Sequence, residues 1–189
     1  MPRPLPDLGH RITVRELAEL VERGVIDGDA RVELVRGRLV SYAPPQGPKH
    51  AAVVRGFPFV VYDRLRDRAV LSPQMPVVIS DDTQLEPDLA VLAIRAHGYR
   101  SSHPTAADVH CVIEVCDSSA RRDRVRKLRL YAAAGIAEYW IVDVPNEHID
   151  VYREPGGPLY ASHRVARRGD SVSFSAFPDV TFTVDELLG

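Results

Sequence analysis

The chain has 189 residues and a formal net charge of −2, with 45% apolar and 26% charged residues. That length fills one core well and is short for two, and a nucleic-acid partner cannot be argued from overall charge, so any basic surface must be local. No window approaches the ~20 apolar residues of a membrane span, and the opening MPRPLPDLGHR lacks a signal-like apolar stretch, so a cytoplasmic, membrane-free location is expected.

The first ten residues read as a Pro-rich, irregular lead-in. Thr13 can cap a helix through about Arg23, with Glu16 at the capping-box position and Gly24 as its stop. RVELVRGRLVSY reads as a hairpin, Val32–Val35 and Arg38–Tyr42, turning at Arg36-Gly37. Pro44 to Pro48 read as loop. From His50 to about Arg66 the pattern Ala51, Val54, Phe57, Val61, Leu65 predicts a helix that Pro58 should kink or divide. Residues 69–79 read as strand interrupted at Ser72-Pro73 and Pro76, and Asp81-Asp82 as loop. Glu86-Pro87-Asp88 then opens a short strand, Leu89–Ile94.

After a polar connection comes the most informative stretch, HCVIEVCDSSARRDRVRK. It opens as an apolar strand with Glu114 set in it, followed by capping residues Asp117, Ser118 and Ser119 and an Arg-rich helix ending near Gly135. Cys111 and Cys116 lie at odd spacing in that strand, so they face opposite sides and cannot bridge; a reduced compartment is the default. Tyr139–Asp143 reads as the next strand. Strand, helix and strand at this spacing make a βαβ unit with parallel strands. The remainder, HIDVYRE, YASHRVARRGD, SVSF and TFTVDEL, reads as short strands joined by turns. The expected organisation is one α/β domain over residues 1–189, with a mixed sheet flanked by helices.

A carboxylate in a buried run costs several kcal/mol unless it is paired or binds a cation. Asp88 starts its strand and Glu114 ends the next; antiparallel neighbours would bring both to one edge. Two carboxylates a few ångströms apart repel unless a cation lies between them, and an oxygen-only site completed by waters and phosphate suits Mg²⁺, with Mn²⁺ as a substitute. Of the 24 basic residues only Lys49 and Lys127 are lysines. Lys127 follows the Glu114 strand closely enough to reach back and hold a nucleophilic water. Glu33, between Val32 and Leu34, is a fourth member, either as an added ligand or as a partner for an Arg.

The ordered segments ELVRGRLV, QMPV, EPDLAV, VIEVCDSS and RKLRLYAAAGIAEYWIVD resemble the Uma-type restriction-endonuclease family of the PD-(D/E)XK nuclease superfamily, over roughly Thr13 to Arg153. The resemblance implies a restriction-endonuclease-like core, with Pro87-Asp88 as the PD and Glu114 as the acid. Two departures stand out. The usual lysine position, two residues after the acid, is Cys116 here, and the resemblance moves that role onto the following helix at Lys127. Asp117 stands where relatives carry Ser or Pro.

The implied function is Mg²⁺-dependent hydrolysis of DNA phosphodiester bonds. Asp88 and Glu114 would hold the metal with a carbonyl from the Val115–Cys116 backbone (Cys116 as the assigned residue), Lys127 would orient water and Glu33 would assist. Arg121, Arg122 and Arg124 are candidate phosphate contacts, as are Arg126 and Arg129, though such a run also makes a solvated helix face. DNA is the expected partner, with a homodimer cutting both strands. Plainer readings stand beside these. Asp88 alone is a turn residue, Glu114 alone an arginine's partner, and Lys127 alone an ion pair with Asp123. His50 reads as a cap or surface residue ahead of one lying near the site, and Tyr131 packs beside the site or lines the sheet. The alternative to a nuclease is a non-catalytic nucleic-acid-binding or protein-interaction module on the same fold.

Overall fold

In the computed structural model the described residues are 9–28, 30–41, 47–116 and 121–189, with the side chains of 121–125 excepted. The lead-in before Gly9, Tyr42 and the Pro44–Gln46 loop, and the Asp117–Ser119 cap all lie outside them.

Local signals account for most of the early elements. Thr13 caps α1 (Val14–Glu22), with its side chain taking the Glu16 amide and the Glu16 carboxylate returning to the Thr13 amide, so two orphan donors of the first turn are satisfied reciprocally. Strands β1 (Val32–Val35) and β2 (Arg38–Ser41) pair antiparallel around Arg36 and Gly37, both at positive φ (50° and 74°), as a two-residue hairpin with native twist requires. Helix α2 spans Pro48–Leu65. Pro48 therefore opens a helix rather than closing a loop, where its missing N–H costs nothing. Pro58 does not divide α2: His50, Val53, Phe57, Val61 and Leu65 are buried on one side, and that packing outweighs one lost backbone bond.

The expected interrupted strand is two strands in different sheets, β3 (Val70–Pro73) and β4 (Val77–Ser80). An unanticipated short strand, β5 (Thr83–Leu85), follows, then β6 (Leu89–Leu92), β7 (Val109–Cys116), α3 (Arg121–Ala133) and β8 (Glu138–Asp143). Beyond them lie β9 (His148–Gly156), β10 (Leu159–Arg167), β11 (Ser171–Val172) and β12 (Phe182–Thr183). The last apolar run is not strand throughout: Val184–Leu188 forms helix α4, with Thr183 and Glu186 making a second capping box.

The result is a mixed α+β fold. Six strands order as β10-β9-β8-β7-β6-β3, and a second sheet orders as β2-β1-β5-β4. Within the large sheet β7 and β8 are parallel, joined by α3, and the other pairs are antiparallel. The alternation of β7 sorts its side chains between two cores. Cys111, Ile113 and Val115 pack with α2, α4 and the C-terminal aromatic residues Phe174, Phe177 and Phe182. Val112 and Cys116 pack on the other face with Leu130 and Tyr131 of α3 and with Val35, Val77 and Leu85 of the small sheet. Trp140 and Tyr139 are fully buried, one in each core, and both cysteines are buried and free. Among the described residues no helix is long and apolar enough to cross a membrane.

Gly37 fixes how the hairpin meets α1. Its carbonyl accepts the Ile12 amide (3.0 Å) and its amide donates to Asp82 (2.7 Å), while a Cβ at this position would lie 2.6 Å from the Arg11 Cβ. Gly37→Ala should therefore cost about 1–3 kcal/mol, combining left-handed strain with a steric clash. Urea denaturation of the two proteins measures it.

Candidate active site

Register brings the two predicted carboxylates together. Leu89 pairs with Ile113 and Ala90 with Val112. Continuing by one residue sets Asp88 opposite Glu114, on the face that Ala90, Val112 and Cys116 share. Directly opposed residues of an antiparallel pair hold their Cβ atoms about 4.5–5.5 Å apart. The Asp88 side chain turns its Oδ2 to the Val115 amide at 2.8 Å, and the nearby Asp88 charge raises the proton affinity of Glu114.

Helix α3 covers that face and supplies a cation. Lys127 is 4% exposed, not on a solvated helix face. Its Nζ lies 2.9 Å from Glu114 Oε1 and 2.9 Å from Glu33 Oε1. One turn later the Tyr131 hydroxyl donates to Glu114 Oε1 at 3.0 Å. Glu33 comes from β1, is 1% exposed, and also accepts the Glu86 amide at 3.2 Å. Asp88, Glu114, Lys127 and Glu33 thus converge from both sheets and α3, and Glu33 partners the lysine rather than an arginine. Tyr131 packs beside the site, a role for which the sequence offered only its spacing from Lys127.

Electrostatics set the protonation of this cluster. Burial disfavours the Lys127 ammonium, but the charges and hydrogen bonds of Glu114 and Glu33 outweigh that and hold its pKa well above the usual lysine value. A single ammonium cannot neutralise three carboxylates. Burial chiefly, then Asp88 and Glu33, push Glu114 up to about 8 against the pull of Lys127. Burial and the neighbouring carboxylates likewise push the Tyr131 hydroxyl well above the ordinary phenol range, so it stays a donor.

The spare oxygens suit a hard cation. Both described hydrogen bonds to Glu114 end on Oε1, and Asp88 directs Oδ2 to Val115, which leaves Glu114 Oε2 and Asp88 Oδ1 for a ligand. Two carboxylate oxygens would suit an ion that completes its shell with waters and substrate oxygens, as Mg²⁺ does; among the described residues no three His, Cys, Asp or Glu side chains form a cage. Glu138 is the contrast. It is fully buried too, but takes Trp140 Nε1 (2.7 Å) and Arg153 Nε (2.8 Å) on Oε1 and the Ser175 amide (2.6 Å) on Oε2. Both its oxygens are satisfied, as a structural carboxylate's should be.

The expected backbone carbonyl is that of the Val115–Cys116 segment. The Cys116 carbonyl accepts the Val144 amide at 3.2 Å, so it faces β8. The N–H and C=O of one strand residue point the same way, and the Val115 N–H points at Asp88, so the carbonyl on the site's side is that of Val115. His50 is buried at 8% exposure, not a surface or capping residue, with Nε2 3.0 Å from that carbonyl. The side chains of Arg121, Arg122 and Arg124, and of Asp123, lie outside the described residues; Arg129 is exposed.

Residues 16–185 match the model of the Uma2 family, whose description is "Putative restriction endonuclease". A crystal structure of a protein described as "a putative nuclease belonging to DUF820", from Anabaena variabilis, superposes with a TM-score of 0.73 at 19% identity, covering 94% of this chain and 97% of that one. Part of the type IIG restriction endonuclease BpuSI aligns at a TM-score of 0.40 and 17% identity, over 82% of this chain and 17% of that one. No curated protein matches the chain.

The raised Glu114 pKa makes a stability prediction. Glu114 rises from 4.5 to about 8, so between those values the folded protein holds a proton that the unfolded chain has released. Its contribution to stability is complete below about pH 4.5 and is lost as pH rises toward 8, a change of roughly a few kcal/mol. Denaturant melts of the metal-free protein should show stability falling across this window, and Glu114→Gln, which mimics the protonated acid, should flatten the slope.

Proposed function

Since the chain belongs to the Uma2 family, we propose that it is a Mg²⁺-dependent endonuclease hydrolysing phosphodiester bonds in DNA, with Asp88, Glu114 and Lys127 as its central residues. The observation that carries this reading is the convergence of Asp88 and Glu114 on one sheet face with the Lys127 Nζ 2.9 Å from the Glu114 carboxylate. Family membership and the nuclease-like fold support the reaction class; the site supports the roles.

Asp88 Oδ1 and Glu114 Oε2 would hold the ion, with the Val115 carbonyl beside them. When bound, such an ion supplies Lewis-acid polarisation of the phosphoryl oxygen and a lowered pKa for a bound water. Lys127 stays protonated throughout the neutral range, so it acts as a fixed cation that orients the attacking water and offsets phosphate charge, not as a base. Tyr131 and Lys127 together hold Glu114 Oε1, which aims its other oxygen at the ligand. Glu33 anchors the ammonium. In the net reaction the water oxygen bonds to phosphorus, the bridging P–O bond breaks, and the leaving oxygen takes up a proton. Positioned charge of this kind supplies most of the barrier lowering in phosphoryl transfer.

Plasmid nicking in Mg²⁺ or Mn²⁺ tests the assignment. Asp88→Ala and Glu114→Ala should each remove cleavage, and Lys127→Met should lower kcat by about 10²–10³-fold. Cleavage that survives both acid substitutions would rule out this site. Calorimetric metal titration gives an independent reading, because a cation binding Glu114 must displace the proton it retains near neutral pH. Net proton release near pH 7 is expected; metal-independent, salt-sensitive DNA binding with no metal uptake would instead favour a non-catalytic module.

A further inference from the structure

His50 is the third residue of α2, and the helix packs on the sheet face opposite α3. The residue is more than nine-tenths buried. A carbonyl oxygen can only accept, so Nε2 carries the hydrogen and donates to the Val115 oxygen at 3.0 Å. The other nitrogen, Nδ1, is buried and has no hydrogen-bond partner among the described residues. Leaving such a nitrogen unsatisfied is a net cost to folding. An apolar side chain of like volume would avoid that cost, so packing alone does not account for an imidazole here.

The residue that His50 grips is the one that also anchors Asp88. Val115 follows Glu114 directly, and its amide donates to Asp88 Oδ2 at 2.8 Å. One residue is thereby held at both ends, by an aspartate before β6 and by a histidine from α2. We propose that His50 is a positioning residue of the metal site: it fixes the Val115 peptide from behind the sheet, and so sets the separation and aim of Asp88 and Glu114. The inference rests on the reading of these two acids as metal ligands. Partners behind the ligands of a metal site change its affinity by about 10–100-fold when removed.

Three variants and two readouts test this. His50→Leu fills the volume without a donor, His50→Gln keeps an amide donor near the Nε2 position, and Glu22→Gln, far from the site, is the control. By Mn²⁺ titration followed by electron paramagnetic resonance, His50→Leu should weaken binding by about tenfold or more, while His50→Gln stays near wild type. In the metal-free protein, the Val115 amide resonance should shift and exchange faster in His50→Leu and be restored in His50→Gln, with the folded fraction unchanged by circular dichroism. The NMR readout needs neither metal nor cleavage. Wild-type protein that takes up no Mn²⁺ would therefore count against the nuclease reading alone. An unperturbed Val115 amide in His50→Leu, Mn²⁺ affinity within twofold of wild type, or equal losses in the Leu and Gln variants would each overturn the positioning role.

Discussion

One buried ammonium holds the site together. Lys127 is the point at which three separate parts of the chain meet: Glu33 from the small sheet, Glu114 from the large one, and α3, which carries the lysine itself. Removing either glutamate would strip a buried cation of half its compensation, and removing the lysine would leave buried carboxylates facing one another, each a loss of several kcal/mol. The cluster therefore ties the two sheets together beside the apolar contacts of Val35, Val77 and Leu85.

The same cluster is deliberately unbalanced in charge. Glu33 and Glu114 grip one ammonium while Asp88 stands beside Glu114, and burial together with those two neighbouring acids pushes Glu114 up to about 8. Glu138, on the opposite face, shows what a buried acid looks like when the fold alone demands it: three donors and both oxygens used. At Glu114 and Asp88 one oxygen each stays open. A site with excess negative charge and open oxygens is less stable than it could be and better suited to a divalent cation, the trade expected where function sets the residues.

Much of this was legible in the sequence, for reasons that can be named. The capping box at Thr13, the Arg36-Gly37 turn and the βαβ spacing from Val109 to Asp143 are local signals, and each is found in the structure. Asp88 and Glu114 drew notice because each is a charge at the end of an apolar run, and antiparallel pairing does bring them to one face. What escaped depended on long-range geometry. Pro58 promised a kink or a division, and the helix is not divided there because its buried face carries on through Phe57, Val61 and Leu65. The 69–79 segment divided between two sheets, which no local pattern announces. His50 lies 65 residues from its partner carbonyl, behind a Pro-rich loop that made it look like a surface residue. Whether Val115 or Cys116 turns its carbonyl toward the site depends on one residue of strand register, and the Cys116 oxygen accepts the Val144 amide.

A crystal of the protein grown or soaked with Mn²⁺ tests the central claim most directly, because the ion's anomalous scattering locates it without reference to activity. A single peak is expected between Asp88 Oδ1 and Glu114 Oε2, with the Lys127 ammonium remaining within reach of Glu33. Well-ordered Asp88 and Glu114 side chains with no peak between them at millimolar Mn²⁺, or a peak bound elsewhere on the chain, would contradict it.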